Sequence, residues 1–350
     1  MPSAAWISAD WAYNVDPPEP NGCTWFRMVL PARETKKFGW EIGIGQPRVN
    51  AEIGIGLGYE DGALTGWDVT VLKLIMARGT GDLINVMRRR GERVIVDIDD
   101  FHFMLDPENI AFAQTDPHKN PESNRAHYEI GIRAADTVTV STDFLADHYS
   151  RRCRDVRVIR NGLDTERFEQ VDQPPIPTIG WVGGTLWRSG DIETLRPWLP
   201  DFVKQYSLPV YHGGHIPGDG RHFGARVGIP RVQTQTMRLV KDYPSLLQPI
   251  SIGLVPLVRN PFNEAKSYLK GLEYAACGIP FIATPTEEYR ILHAAGVGRL
   301  ASTPDEWRDH ATELLDPDLR RREGERIRAI VAEQFHISKR GPEWDTAMRG

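Results

Sequence analysis

Two groups of residues in this chain have the types and the spacing to do chemistry. The first is Lys266, Lys270 and Glu273 in the run NEAKSYLKGLEYAACGIPF, Asn263 to Phe281. At about 100° per residue these three share one helical stripe, while Leu269, Leu272 and Ala276 form the apolar stripe that docks the helix. The pattern predicts a short polar loop, one helix of about three turns, a stop at Gly278 and a buried strand from Ile279 to Ala283. Lys266 then sits in the first turn, where a cation opposes the helix dipole and a bound phosphate would reverse the sign. The competing reading is a solvated face of lysine and glutamate.

The second group is VIVDIDDFHF, where an apolar strand, Val94 to Val96, runs into Asp97, Asp99 and Asp100, followed by His102. Carboxylates at the carboxyl end of a strand lie where parallel-sheet active sites form, and burying them unpaired costs on the order of several kcal/mol. Three readings stand. The cluster is a D-x-D metal site; or it orients an acceptor hydroxyl, with Asp100 or His102 taking the proton; or it only caps a helix and ties two loops.

Two glycine turns add to these. Asn21-Gly22-Cys23 opens a helix carrying Arg27, offering backbone N–H groups and a cation facing a crevice. IGWVGGTLWRSGD places Gly183 and Gly184 just after a strand, where backbone amides can approach a phosphate and Arg188 supplies charge. The competing reading of each is a plain loop.

These residues need a scaffold, and the chain alternates strand and helix throughout. Before Gln173, strands are expected at Ala4–Ser8, Asp68–Met76, Arg93–Ile98, Thr137–Ser141 and Val156–Ile159, with helices at Thr24–Lys37, Gly81–Arg90, Ser123–Ala135 and Thr142–Arg151. Pro174, Pro175 and Pro177 read as a stiff linker. Beyond it, strands fit Thr178–Val182, Pro209–His212, Ile252–Pro256 and Pro280–Ala283, and helices fit Asp191–Gln205, Asn263–Cys277 and Glu306–Leu315. This predicts an α/β protein with two doubly wound parallel sheets and ligands at the carboxyl ends of the strands. The repeat EIGIG, at Glu41–Gly45 and Glu52–Gly56, suits two neighbouring strands and carries no chemistry.

Composition narrows the class. The chain has 350 residues, enough for two cores, and 25% charged residues, as globular proteins have. A net charge of −5 gives no long-range attraction to nucleic acid or anionic membrane. Cys23, Cys153 and Cys277 are far apart, which argues against a disulfide framework or a zinc site. There is no signal-peptide pattern and no long apolar run, so the expectation is a cytoplasmic protein without membrane insertion. No G-x-G-x-x-G opens a helix after a strand, which argues against a dehydrogenase.

Asn263 to Pro280 resembles the donor-site segment of GT-B glycosyltransferases, in the group 1, family-4-like branch with the pattern N-x-x-K-S-x-x-K-x-L-E-Y-A-A-x-G-x-P. GCTWFRMVLPA near the start, and Ala135 to Phe168, are similar to the same branch. The resemblance implies two Rossmann-like domains facing across a cleft: an acceptor-side domain at 1–173, a nucleotide-sugar domain at 174–335 and a terminal helix at 336–350 that returns to the first. It implies a donor site of Gly183, Gly184, Arg188, Asn263, Lys266, Ser267, Tyr268, Lys270 and Glu273, with the lysine on the diphosphate and Glu273 on the ribose. Asp99, Asp100 and His102 would meet the acceptor, with Gly22 and Arg27 beside them. Eight residues before Glu273, where many retaining members carry glutamate, stands Ala265.

The expected activity is therefore transfer of a sugar from a nucleotide diphosphate sugar to a hydroxyl, with retention and with neither metal nor cofactor. The acceptor is a protein, a glycan, a lipid-linked sugar or a modified nucleobase. A sugar-nucleotide epimerase or hydrolase on the same scaffold, or a binding protein without turnover, stays open.

Overall fold

Runs rich in valine, isoleucine and threonine become the strands, and the carboxyl ends of those strands carry the polar residues. The computed structural model describes residues 1–12, 14–48, 56–57, 66–218, 220 and 222–350. The chain forms two units, Met1–Gly162 with Ile337–Gly350, and Leu163–His336.

The first unit holds strands β1 (Ser3–Ser8), β2 (Glu41–Gly45), β3 (Val69–Lys73), β4 (Arg93–Ile98), β5 (Thr137–Val140) and β6 (Val156–Val158). All pair in parallel, in the order β6-β5-β4-β3-β1-β2. The order reverses between β1 and β3, the point at which a doubly wound sheet opens a crevice. The first EIGIG repeat is β2, the edge beside β1. All of the second repeat except Gly56 lies outside the described residues; Gly56–Leu57 pairs antiparallel with Pro47–Arg48.

Residues 22–38 are helical, but Trp25–Val29 form a π-turn before Leu30–Thr35. Pro31 explains the widening: it has no N–H for the carbonyl of Arg27, and its ring would clash there. In the same unit Gly341–Arg349 sets Trp344 edge-on against Trp6, with ring centroids 5.0 Å apart.

The second unit holds β7 (Ile179–Val182), β8 (Val210–His215), β9 (Gln233–Thr236), β10 (Ile252–Val255), β11 (Phe281–Ala283) and β12 (Arg299–Leu300). Again all are parallel, in the order β9-β8-β7-β10-β11-β12, with the reversal between β7 and β10. The proline run at 174–177 lies inside this unit. Upstream of it, Leu163 N–H bonds Phe335 O at 3.0 Å and Val171 N–H bonds Cys277 O at 2.8 Å. Arg320 then donates to Gln173 Oε1 at 3.1 Å and to the carbonyl of Pro174.

Two expected helices are broken. Residues 191–205 divide into Ile192–Leu195 and Leu199–Gln205, because Pro197 disfavours helix at the residue before it and Pro200 starts the next turn. Residues 263–277 also divide, as described below. Strands β9 and β12 and the helices Glu287–Ala294 and Pro317–Gln334 lay outside the sequence-based expectation. No helix among the described residues is long and apolar enough to cross a membrane.

Candidate functional site

In the second unit the predicted donor residues lie on the loop after β7 and on the segment that follows β10. Gly183 ends β7 with φ +151, and a side chain there would meet the Trp181 ring at 2.9 Å. Its N–H is already given to Gly213 O at 2.8 Å, while its carbonyl meets His212 Nε2 at 2.9 Å. Of the two glycine amides, therefore, only that of Gly184 is not tied into the neighbouring strand.

Asp191 links this loop to the next. The buried carboxylate accepts from Val258 N–H at 2.9 Å and from Asn263 Nδ2 at 2.6 Å, and Arg188 lies 3.7 Å from its other oxygen. Asn263 is thereby committed to holding two loops together. Its Oδ1 is buried with no hydrogen-bond partner among the described residues.

The single helix expected over Asn263–Cys277 is two helices, Pro261–Glu264 and Leu269–Ala276. Asn260 caps the first, Asn263 is pinned sideways to Asp191, and Lys266 N–H turns back to Asn263 O at 3.1 Å. These local anchors outweigh helical continuity. Lys266 thus lies in the break and not in a first turn, with its ammonium 4.1 Å from the centre of the Phe262 ring. Ser267 lies in the same break, and Tyr268 is a core residue packed edge-on to Phe335.

Lys270 and Glu273 do share one face, as the spacing requires. That face is not solvated: Glu273 is 3% exposed. Its Oε2 accepts from Lys270 at 2.7 Å and from the Tyr243 hydroxyl at 2.8 Å. Burial, and then Glu273, push the Tyr243 phenol well above its ordinary range, so it stays a donor. Glu273 Oε1 carries no hydrogen bond among the described residues.

In the first unit the strand register builds the site. Ser8, Lys73 and Asp97 are in register across β1, β3 and β4. Residues two apart on a strand share a face, so Asp99 follows Asp97 on the side where Lys73 emerges. Asp97 is fully buried and accepts both nitrogens of Arg27, at 2.6 and 3.0 Å, and the Thr139 hydroxyl at 2.8 Å. Arg27 gives its remaining bonds to Ile159 O at 2.6 Å and Asn161 Oδ1 at 3.2 Å. Arg27 is thus a buried structural cation and not one facing a crevice, because the π-turn rotates it inward onto the sheet.

Lys73, also fully buried, pairs with Asp99. Burial alone would raise the Asp99 carboxyl, but Lys73, with help from His102 and Arg27, brings it down to about 2. Asp10, just past β1, is raised by burial, against the pull of its bond to Asn21 and of Lys73. Cys23 adjoins both: burial, then Asp99 and Asp10, push its thiol well up. His102 stands edge-on to Tyr128, whose hydroxyl donates to Asp97 O at 3.0 Å. Cys23 feels the charges of Asp99 and Asp100, and Asp99 that of His102, so these residues share one neighbourhood.

Sequence reasoning passed over Asp10, Lys73, Asp191 and Tyr243. The available signals were weak: a lysine ending the apolar run VTVLK, and an aspartate just after the first strand. The arginines at 88–90 and 151–154 include surface ion pairs, Arg88 with Asp136 and Arg152 with Glu129.

Residues 197–345 match the profile of the glycosyl transferase-like family. Over 167 residues the chain is 28% identical to TuaH of Bacillus subtilis (strain 168), a protein assigned as a teichuronic acid biosynthesis glycosyltransferase. The match covers 44% of this chain and 41% of TuaH, so the chain spans about two fifths of that relative. Anabaena HepE, solved with UDP, superposes over 100% of both chains with a TM-score of 0.64 at 13% identity. An alpha-glucosyltransferase, solved with UDP and a DNA 13-mer containing an HMU base, covers 99% of both with a TM-score of 0.67 at 13% identity. Identities this low establish the architecture. The chain thus has the GT-B architecture of these structures, and residues 197–345 of its second unit are similar to the glycosyl transferase-like family.

Proposed function

We propose that this protein moves a sugar from a nucleotide diphosphate sugar to an acceptor hydroxyl, with retention and without a metal. The observation that carries the reading is the buried Tyr243–Lys270–Glu273 group, next to Tyr274, whose hydroxyl accepts from Val182 N–H and donates to Leu254 O at the ends of β7 and β10. A carboxylate that is held on one oxygen and open on the other suits a ribose hydroxyl. Arg188, Lys266 and the Gly184 amide would then meet the diphosphate, where charge builds as the glycosidic bond breaks. UDP in the HepE and alpha-glucosyltransferase structures supports a donor of this class.

Metal independence draws support from the D-x-D residues themselves. Asp97 and Asp99 are spent on a guanidinium and an ammonium, and a divalent ion would have to displace two buried cations. The acceptor belongs to the first unit in this reading, with Asp99, Asp100 and His102 near its hydroxyl. The alpha-linkage named for the second neighbour favours retention.

Calorimetry with UDP, and UDP release from a panel of UDP-sugars with and without EDTA, test the proposal. Lys266→Met combined with Glu273→Gln should weaken UDP at least about tenfold, a loss of about 1.4 kcal/mol or more. Unchanged affinity and turnover in that double variant would refute the donor site. Epimerised sugar without transfer would favour the alternative chemistry.

A further inference from the structure

We infer that Asp10 is the carboxylate that receives the hydrogen bond of the acceptor hydroxyl, and that Lys73 is the positioning cation that holds Asp99 beneath it. The inference rests on the glycosyl-transfer reading and adds two residues to its acceptor side.

Topology is the first support. The strand order of the first unit reverses between β1 and β3, and ligands of doubly wound sheets bind at that reversal. Asp10 follows β1 and Lys73 ends β3; Ala9 N–H bonds Lys73 O at 3.2 Å, which fixes the two loops side by side. Asp99 and Asp100 lie one strand further from the reversal.

The second support is how firmly Asp10 is placed. Its N–H donates to Ser8 Oγ at 3.2 Å, the Ser8 and Thr24 hydroxyls are 2.6 Å apart, and Thr24 donates to Asp10 O at 2.6 Å. These bonds close a ring around one residue. Asn21 adds two more, from its N–H to Asp10 O at 3.3 Å and from its amide to Asp10 Oδ1 at 3.0 Å. Asp10 Oδ2 carries no hydrogen bond among the described residues and is half-buried, so a rigid backbone presents one open carboxylate oxygen.

The third support is charge. The charged groups that act on Asp10 are Lys73, which ends β3, and Asp99, just past β4; the neighbouring Cys23 thiol feels Asp10, Asp99, Lys73 and Asp100. One buried ammonium serves two carboxylates, and its hydrogen bond goes to Asp99. Asp99 is therefore spent as a partner of Lys73. Asp10 is left as the carboxylate whose proton affinity is raised, which suits accepting a hydrogen bond from a neutral hydroxyl.

The test uses the whole chain, labelled at its aspartate carboxyl carbons and followed by NMR against pH. The resonance lost in Asp10→Asn should titrate above the ordinary aspartate range, and the one lost in Asp99→Asn should stay ionised to the acid limit of the fold. Lys73→Met should move both upward, and Lys73→Arg should restore both. If Lys73→Met does not fold, Asp99→Asn gives an independent reading, because the ammonium then turns to Asp10 and lowers its titration. An Asp10 that titrates in the ordinary range, or is unmoved in both variants, overturns the array.

Function is read with UDP-glucose as the probe and water as the acceptor. Asp10→Asn should cut UDP release about 100-fold and erase the acid limb of the pH profile, with UDP affinity unchanged. An unchanged pH profile with intact UDP binding overturns the role of Asp10 alone. Failure of the unaltered chain to bind UDP sinks the glycosyl-transfer reading itself, while the carboxyl titrations still decide the array.

Discussion

Asp97 near the end of β4 and Asp99 just past it stand two residues apart, and each pairs with a buried cation. Their surroundings separate them. Around Asp97 both oxygens are filled, Arg27 is saturated, and Trp344 lies under the guanidinium at 5.4 Å. Around Asp99 a single ammonium is shared with Asp10, and one oxygen of the Asp10 carboxylate carries no hydrogen bond among the described residues. Complete pairing makes a buried ion pair into scaffolding; incomplete pairing at a crevice makes it available for chemistry. The second unit repeats the contrast, with Asp191 tying two loops together and Glu273 held on one oxygen only.

Removing one half of the saturated pair should have the largest effect. Arg27→Met strands a buried carboxylate and should cost about 3–5 kcal/mol in urea unfolding, much of it recovered in Arg27→Met/Asp97→Leu. A small loss in the single variant would dissolve the distinction drawn between the two pairs.

Asp191→Ala should come next, at about 2 kcal/mol of stability, because it leaves one N–H of the Asn263 amide and the Val258 N–H without their acceptor. The same variant should weaken UDP by loosening the loop after β7. Stability lost without any change in UDP affinity would separate that loop from the donor site.

Glu273→Gln should leave the helical circular dichroism intact and weaken UDP by about tenfold, or about 1.4 kcal/mol. Equal affinity would make this residue a second Asp97, wholly structural.

Asp10→Asn should have the smallest effect on stability, and with the opposite sign. A carboxyl raised in the folded state favours the fold below its unfolded pKa and opposes it once pH rises through the folded pKa. At neutral pH the ionised Asp10 is therefore a liability, and its amide should melt about 1–3 °C higher. The gain should vanish as pH falls through the Asp10 titration. Asp99, held down to about 2, works the other way: its contribution is present above its ordinary value of 3.8 and is lost as pH falls towards 2. A lower melting temperature for Asp10→Asn at neutral pH would place Asp10 with the structural carboxylates.

The residues themselves carried much of this. Alternation of apolar strands with amphipathic helices established two parallel sheets, because burial on both faces demands it, and it placed the carboxylate run and the glycine pair at strand ends. The i,i+3 and i,i+4 spacing set Lys270 and Glu273 on one face. Other features depended on register and packing. The helix broke at Lys266 because Asn263 was bonded to a residue 72 positions away. Arg27 turned inward because a proline four residues on widened the helix. Asp10 and Lys73 became neighbours because β1 and β3 pair directly, although the two residues lie far apart in the chain. Local pattern decides which face of an element is buried; which charge meets which across strands is decided only when the sheet forms.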